Sequence, residues 1–475
     1  MLGKNKFSRI ILKLVCFSLL LTTALPAVAL TFDPNYIISD AEINDYTTMT
    51  PEQIQKFLTT KGSYLANYVA VDLDGNVKSA SELIYDRATT NKLNPQFLLV
   101  LLQKEQGLIE DDSPRTSQLD WATGYGCPDG SGCNTRWQGF FKQINSASLQ
   151  FRDYLDNPHL YNYRVSETYI IQDKTSQNSL NITEVKPINV ATAALYNYTP
   201  HVYNGNYNFW KLWQNYFTKN YPDGSLLQEK GQSGVWLIQY DKKRAFMSKA
   251  ALVSRYDSNK IIQVSHSDLE KYDDGDPIKF AQYSLLRSPK GTVYLLIDDT
   301  KRGITSSAVF KKIGFNKEEI IDVSLDDLNQ LPDGQPITEK DLYPTGALLQ
   351  DNKSGGVYFV YSGFKYPIWS KELLAINFPK KKIISVKPEE LKGWQTGDPV
   401  KIKDGELVKT QSNPTVYIIS NGEKLPITSE EAFIGLGYKW NQIQTVSDKI
   451  LSLHPLGKPV DIISTNQSNV KLAIK

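Results

Sequence analysis

From about residue 225 onwards the chain repeats one pattern four times. A valine followed by an aromatic residue recurs with spacings of 58, 64 and 59 residues, at Val235-Trp236, Val293-Tyr294, Val357-Tyr358 and Val416-Tyr417. After each pair come a serine, a run rich in β-branched residues and a Gly-x-Pro triplet, always in that order. Four landmarks in a constant order indicate internal repetition, which restricts the fold to units that stack on one another.

Each repeat of about 60 residues is predicted to contain a β-hairpin, a short helix capped by the serine, and a further strand. The predicted units, called units 1 to 4 below, are residues 225–283, 284–344, 345–405 and 406–465, followed by a tail at 466–475. Such small units must pack on their neighbours, either in an open array or in a closed ring. The recurrent aromatics favour core packing, with recognition of a surface polymer or protein as the alternative.

Residues 1–29 have the pattern of a secretory signal peptide. A basic start is followed by an apolar run at 10–21 and by Ala27-Val28-Ala29, a typical cleavage site. An uncleaved membrane anchor is the alternative. Because this segment carries four basic and no acidic residues, its removal changes the formal net charge from +2 to −2. A near-neutral chain argues against nucleic acid as a partner, and we expect a protein that is secreted or associated with the cell surface or wall.

Cys127 and Cys133 enclose a short Gly-rich and Pro-containing loop. In an exported protein this pattern predicts a disulfide. The four histidines, at positions 159, 201, 266 and 454, lie far apart and show no metal-ligand spacing. We therefore expect no catalytic metal and no cofactor.

Residues 30–220 are predicted to form a mainly helical domain. Capping patterns at 50–53 and 79–82 open two helices, and a third is predicted at 94–107. A later helix has Ala147, Phe151 and Tyr154 on one face, and it is followed by a segment at 191–200 and an aromatic stretch at 209–217. The fold class that results is a multidomain α+β protein, with a mainly α domain followed by four β-rich repeats.

One of these helices carries an acid among apolar residues. Asn94 is a good N-cap, Pro95 suits the first helical position and Gly107 is a natural stop. Leu98, Leu101 and Leu102 share the face of Glu105. An acid in such surroundings has either a partner or a raised pKa, and a raised pKa suits a general acid. A helix-end Glu that reaches solvent is the alternative.

Aromatic and amide side chains are candidates to share a cleft with Glu105. Aromatic faces and side-chain amides suit sugar rings, which combine apolar C–H faces with a rim of hydroxyls. Ordinary packing is the alternative for each of them. These candidates are Tyr125, Trp137, Phe140, Gln143, Tyr196, Asn197 and Tyr198.

The segments at 32–40, 101–108, 122–128, 139–143 and 194–200, in this order, resemble exported bacterial proteins of the lysozyme-like superfamily, often called glucosaminidase-like or haemagglutinin-like. The same order is similar to soluble lytic transglycosylases. The resemblance implies that Glu105 is the catalytic acid, that Gln143 belongs to a loop lining the cleft, and that Tyr196 and Asn197 contact sugar. The chain departs from that pattern at Gln106, at a loop one residue longer, and at Tyr198-Thr199.

The number of carboxylates limits the mechanism. Ordinary glycosidases use two, and the candidates for a second one have no distinctive context: Asp111, Asp112, Asp120 and Asp129. A single Glu acting as acid and then as base fits a lytic transglycosylase, or a glucosaminidase assisted by the substrate's acetamido group. The sequence thus favours an exported enzyme that cuts peptidoglycan strands. A non-catalytic glycan-binding adhesin is the alternative, and a chain in which the repeats carry the function is a third.

Overall fold

The computed structural model describes residues 32–128, 130–174 and 180–462. The predicted signal peptide at 1–29, the tail at 466–475 and Asp129 lie outside the described residues. The described chain has the predicted α+β composition, with a mainly helical first part and a β-rich second part. Within this part of the chain, no helix is both long and apolar enough to cross a membrane.

The first part is built from α-helices and two β-hairpins. The hairpins pair Val69–Val71 with Val77–Ser79 and Tyr169–Lys174 with Leu180–Val185. Thr50 and Ser79 form the predicted capping boxes at the starts of two helices. The α-helices are Asp40–Asn44, Pro51–Thr60, Ala80–Thr90, Pro95–Gln106, Thr116–Asp120, Phe140–Asp156, Val190–Tyr198 and Tyr207–Phe217.

The Pro95–Gln106 helix lies at the centre of this part. The side chain of Asn94 accepts a hydrogen bond from the Gln96 N–H, and Gly107 ends the helix with a φ of 71°. All residues from Phe97 to Gln103 are buried, as the apolar run predicts. The ring of Phe97 contacts those of Phe151 and Phe209, on the two long helices beside it. Apart from Gln96 in the first turn, only the last turn of the helix therefore reaches solvent.

Each repeat unit contains an antiparallel three-stranded meander and a fourth strand that returns parallel to the first. Short strands at Asp273–Asp274 and Gln395–Thr396 extend the sheets of units 1 and 3. The main strands are Leu226–Glu229, Trp236–Gln239, Lys242–Ala245 and Ile261–Val264 in unit 1; Leu285–Arg287, Val293–Ile297, Thr300–Gly303 and Ile320–Asp322 in unit 2; Ala347–Asp351, Val357–Tyr361, Phe364–Ile368 and Ile383–Val386 in unit 3; Leu407–Lys409, Tyr417–Ser420, Glu423–Pro426 and Gln444–Thr445 in unit 4.

A short helix joins the third and fourth main strands of each unit. The helices are Lys249–Val253, Ser307–Ile313, Lys371–Asn377 and Glu430–Gly435. The preceding serine accepts a backbone N–H of the first turn in each, which confirms the predicted caps at Ser248, Ser306, Ser370 and Ser429. A second short helix follows the fourth main strand, at His266–Glu270, Leu325–Asn329, Pro388–Leu391 and Asp448–Leu451.

The four units form a closed ring of contacts. One apolar cluster joins Leu227 and Ile262 of unit 1 to Ile418 and Phe433 of unit 4. Further clusters join unit 3 to unit 4 and unit 2 to unit 3, and ion pairs join unit 1 to unit 2. The sequence left an open array and a closed ring as alternatives, and the contact between units 4 and 1 selects the ring.

Buried polar contacts join unit 1 to the helical part. Glu42 accepts a hydrogen bond from the Ser267 N–H at 3.1 Å, and Asp268 accepts one from the Lys219 N–H at 2.6 Å. Burial raises the pKa of the Asp268 carboxyl. Ser267 and Asp268 both lie in the His266–Glu270 helix of unit 1, whereas Glu42 and Lys219 belong to the helical part. These two bonds therefore fix unit 1 against the helical part.

Candidate active site

Glu105 lies in the last turn of its helix and forms an ion pair with its neighbour. Its side chain is 22% exposed, whereas that of Lys104 is 5% exposed. The Lys104 Nζ atom lies 2.6 Å from Glu105 Oε1 and 2.7 Å from the hydroxyl oxygen of Thr199. The Glu105 carboxylate is therefore only partly buried. It is not a free surface residue either, because its cationic partner is almost completely buried.

A loop backbone forms the wall beside the carboxylate. Gly124 has a φ of 69°, and a Cβ placed on it would lie 3.2 Å from Glu105 Oε2. A side chain here would adopt a strained conformation and press on the acid, so the loop needs glycine. The same loop contains the Cys127–Cys133 disulfide, which confirms the predicted pairing.

Gln143 holds this loop in place. It lies in the first turn of the Phe140–Asp156 helix, not in a loop, and its side chain is fully buried. Its Oε1 accepts hydrogen bonds from Thr123 and from the Tyr125 N–H, and its Nε2 donates to the carbonyls of Tyr125 and Trp137. Because these bonds occupy both ends of the amide, Gln143 positions the loop and is not presented to a sugar. This corrects the expected contact with substrate.

Three other candidates also stabilise the fold rather than face a cleft. The buried Tyr196 donates its hydroxyl proton to the Pro34 carbonyl. The Asn197 side-chain amide accepts a hydrogen bond from the Tyr163 N–H and donates one to the Tyr163 carbonyl. Phe140 is buried. Tyr196 and Phe140 therefore lie in the core and Asn197 is half-buried, and the expected sugar contacts of the three stay predictions.

Tyr198, Tyr125 and Trp137 are the candidates that surround the acid and its loop. Tyr198 stacks on Phe151 with ring centroids 4.6 Å apart and donates to the Thr123 carbonyl. Burial and then the nearby charge of Glu105 raise the pKa of the Tyr198 phenol. Tyr125 and Trp137 meet edge to face at 5.4 Å.

The sequence did not predict the continuation of this aromatic surface. Tyr154 and Tyr161 contact each other at 4.5 Å, and Gln150 donates to the Tyr161 hydroxyl while it accepts from that of Tyr125. Asp153 accepts a further bond from Tyr161. Spacing along the Phe140–Asp156 helix places Gln150, Asp153 and Tyr154 near one another, and this pattern could have identified them. Together they extend the site from Tyr125 to Tyr161.

The candidates for a second carboxylate lie in separate local contacts. Asp111 accepts from the Gln118 amide, and Asp120 accepts from the Gln138 amide. Asp112 accepts from the Ser113 hydroxyl. Among the residues that the structure describes, none of these acids is bonded to Glu105, and no group of three or more side chains could hold a metal ion.

Comparison with known proteins gives one family match. A family model described as "LasA, N-terminal domain" matches residues 36–230, which contain the whole site. No curated protein matches the chain.

The similar solved structures include the periplasmic assembly from the ESX-5 inner membrane complex, at 11% identity, with 54% of this chain and 97% of that chain covered and a TM-score of 0.13. An intact ESX-5 inner membrane complex is similar at 12% identity, with 51% and 81% covered and a TM-score of 0.12. At such TM-scores these likenesses carry no argument about this chain.

Proposed function

We propose that residues 30–220 cleave the glycan strands of peptidoglycan, with Glu105 as the single catalytic carboxyl group. The observation that carries the proposal is the position of Glu105, at the open end of a buried helix, beside the Gly124 backbone and next to a surface of aromatic and amide side chains. The LasA N-terminal match supports an exported protein that acts on the cell wall. The repeats would attach the enzyme to the wall or surface.

The chemistry assigns two successive tasks to Glu105. The carboxyl first protonates the glycosidic oxygen as the bond to the anomeric carbon breaks. The resulting carboxylate then takes a proton from the sugar's own 6-hydroxyl, which closes an anhydro ring, or from water after the acetamido group has assisted. Lys104 stabilises the charged form between these steps because its ammonium lies 2.6 Å away. Lys104 is thus a positioning residue for the acid.

Digestion of purified sacculi tests this proposal. The wild-type chain should release muropeptides, and Glu105→Gln should release at least about a hundredfold less, as expected for loss of a general acid. Asp112→Asn is the matched control, since it neutralises an exposed loop carboxylate of the same region. Mass analysis distinguishes anhydro ends from reducing muramic and reducing glucosamine ends. Equal release by wild type and Glu105→Gln would exclude the assignment.

A glycan-binding protein without catalysis is the second candidate function. The Lys104–Glu105 ion pair favours it, because the carboxylate then serves as the countercharge of a buried ammonium, a role in the fold that needs no catalysis. In that case wild type and Glu105→Gln would sediment equally with sacculi, and neither would release fragments.

A further inference from the structure

A cavity lies at the seam between units 1 and 2, far along the chain from Glu105. Its volume is about 290 Å³, and residues of both units line it, among them Tyr240, Arg244, Arg255, Lys279 and Asp299. This volume is close to the lower end of the range typical of small-ligand sites. The four-unit ring offers an internal comparison, since the same positions occur at the other seams.

The equivalent arginine at the seam between units 2 and 3 is covered. Arg302 takes the place of Arg244, and it donates to Asp341 at 2.9 Å and to the Pro344 carbonyl. Its guanidinium also lies 5.6 Å from the Tyr361 ring centroid. Asp341 and Pro344 belong to the connection between units 2 and 3, which is the longest of the three such connections. The shorter connection between units 1 and 2 leaves the corresponding space open.

The turn of the central hairpin of unit 1 lies at the edge of this cavity, and its first residue is bulkier than those of the other three units. The first turn residue of the central hairpin has a positive φ in all four units, and it is Asp298, Ser362 and Asn421 in units 2 to 4. In unit 1 it is Tyr240, with a φ of 55°. A bulky residue in this conformation is strained, and such strain is found mainly at functional positions. The Tyr240 side chain is also 75% exposed, so packing does not explain it.

The charges of the lining favour a neutral ligand. Four cationic and four acidic side chains line the cavity, so their formal charges balance, and two ion pairs cross the seam: Arg244 with Asp299 at 2.5 Å and Lys279 with Asp327 at 2.8 Å. Gln282 and the Phe280 carbonyl hold the outer nitrogens of the Arg255 guanidinium, whereas its buried Nε has no hydrogen-bond partner in the described chain and can donate one further bond. Charged hydrogen-bonding groups suit the hydroxyls of a sugar, and an exposed aromatic ring suits its C–H faces.

We propose that the seam between units 1 and 2 is a second saccharide site, which holds an N-acetylated sugar of the wall glycan through Tyr240 and the polar groups of the cavity. This site rests on the proposed function for the identity of the glycan, but its binding does not depend on Glu105. It would keep the enzyme on the strand between cleavage events, since two linked sites raise the effective concentration of substrate.

Calorimetric titration of the full chain with the N-acetylglucosamine tetramer tests the proposal. The parent carries Glu105→Gln, so that the probe is not consumed. Two variants alter the seam: Tyr240→Asn installs the turn residue of unit 4, and Gln330→Trp places an indole in the cavity. Ser362→Asn, at the same turn position of unit 3, is the matched control.

We expect the parent and Ser362→Asn to bind two tetramers, and each seam variant to bind one, with a melting temperature no lower than that of the parent. A second supporting result is a parent that binds one tetramer while both seam variants bind none. In that case the one site lies at the seam, and the Glu105 cleft does not bind the probe. Unchanged stoichiometry and affinity in both seam variants would overturn the proposal. Cleavage of sacculi by the chain without Glu105→Gln is scored separately, so failure of the proposed function and failure of the seam site are distinguished.

Discussion

An acid and a cation share the last turn of the Pro95–Gln106 helix, where Lys104 is almost fully buried and Glu105 reaches the cleft. A buried ammonium depends on its countercharge, because its solvation by water has been lost. This pair therefore links the stability of the helical part to the residue proposed for catalysis.

Glu105→Gln should lower the free energy of unfolding by about 1–3 kcal/mol, less than the loss for a fully buried pair because the Glu105 carboxylate is partly exposed. The double variant Lys104→Met with Glu105→Gln removes both charges and should recover most of that loss. Urea unfolding followed by circular dichroism measures both values. If the single and double variants are equally stable, the ion pair contributes nothing to folding.

His454 predicts a second effect at the scale of one residue. It is buried, its Nε2 accepts from the Ile402 N–H and its Nδ1 bonds the Gly422 carbonyl, so the folded ring is neutral. Burial lowers the pKa of the His454 imidazole. The unfolded chain then binds more protons than the folded one below about pH 6.5, and stability should fall as the pH drops through that value.

His454→Asn removes this titration. The free energy of unfolding of the wild type, measured between about pH 7.5 and 5.5, should decline more steeply than that of the variant. Parallel curves over this interval would show that His454 does not contribute to the pH dependence.

The sequence predicted the helix that carries Glu105, since Asn94, Pro95 and Gly107 act through local geometry. It did not predict the partner of the acid. Neighbouring side chains on a helix point in different directions, so the contact with Lys104 depends on how the helix ends and on Thr199, the residue that follows the Val190–Tyr198 helix. The role of Gln143 could not be read from the motif either, because its bonds are to a loop whose path the tertiary fold sets.

At the scale of elements, the loop from Thr123 to Trp137 is the part of the site that depends most on support from elsewhere. The bonds to Gln143 fix its backbone, and Gly124 lies against the carboxylate. The short second helices of the repeats also escaped prediction, because four or five residues are too few for a clear 3.6-residue period.

Gln143→Leu should detach this loop while it leaves Glu105 unchanged. The substitution leaves buried groups of Thr123, Tyr125 and Trp137 without partners, so we expect a loss of at least about 3 kcal/mol in unfolding free energy. Release of muropeptides should fall more than tenfold even at temperatures where the variant is folded. Gln138→Leu is the control, since Gln138 is exposed and bonds only Asp120 among the described side chains. Equal effects of the two changes would contradict this role.

At the scale of the whole molecule, the seam between units 4 and 1 closes the ring. Phe433 packs there in a cluster with Leu227 and Ile262 of unit 1. Phe310 occupies the equivalent helix position in unit 2, in a cluster that includes Tyr361 of unit 3. The two phenylalanines therefore allow the closing seam to be compared with an ordinary one.

Phe433→Ala should cost about 3–5 kcal/mol, as expected for a large buried ring. Because its cluster extends into unit 1, amide hydrogen exchange should also accelerate in the strand Ile261–Val264, although that strand is far away in sequence. Phe310→Ala should cost a similar amount and leave exchange in Ile261–Val264 unchanged. Slow exchange of this strand in Phe433→Ala would show that units 1 and 4 are not coupled.

Closure also limits how such a chain can evolve. An open solenoid lengthens by duplication, because each added copy finds the same face to pack on. Here unit 4 already covers unit 1, so a fifth copy would have no free face and a lost copy would leave a gap. The number of units is therefore inherited as a whole, and because Glu42 and Lys219 bond unit 1, the place of that unit beside the helical part is inherited with it.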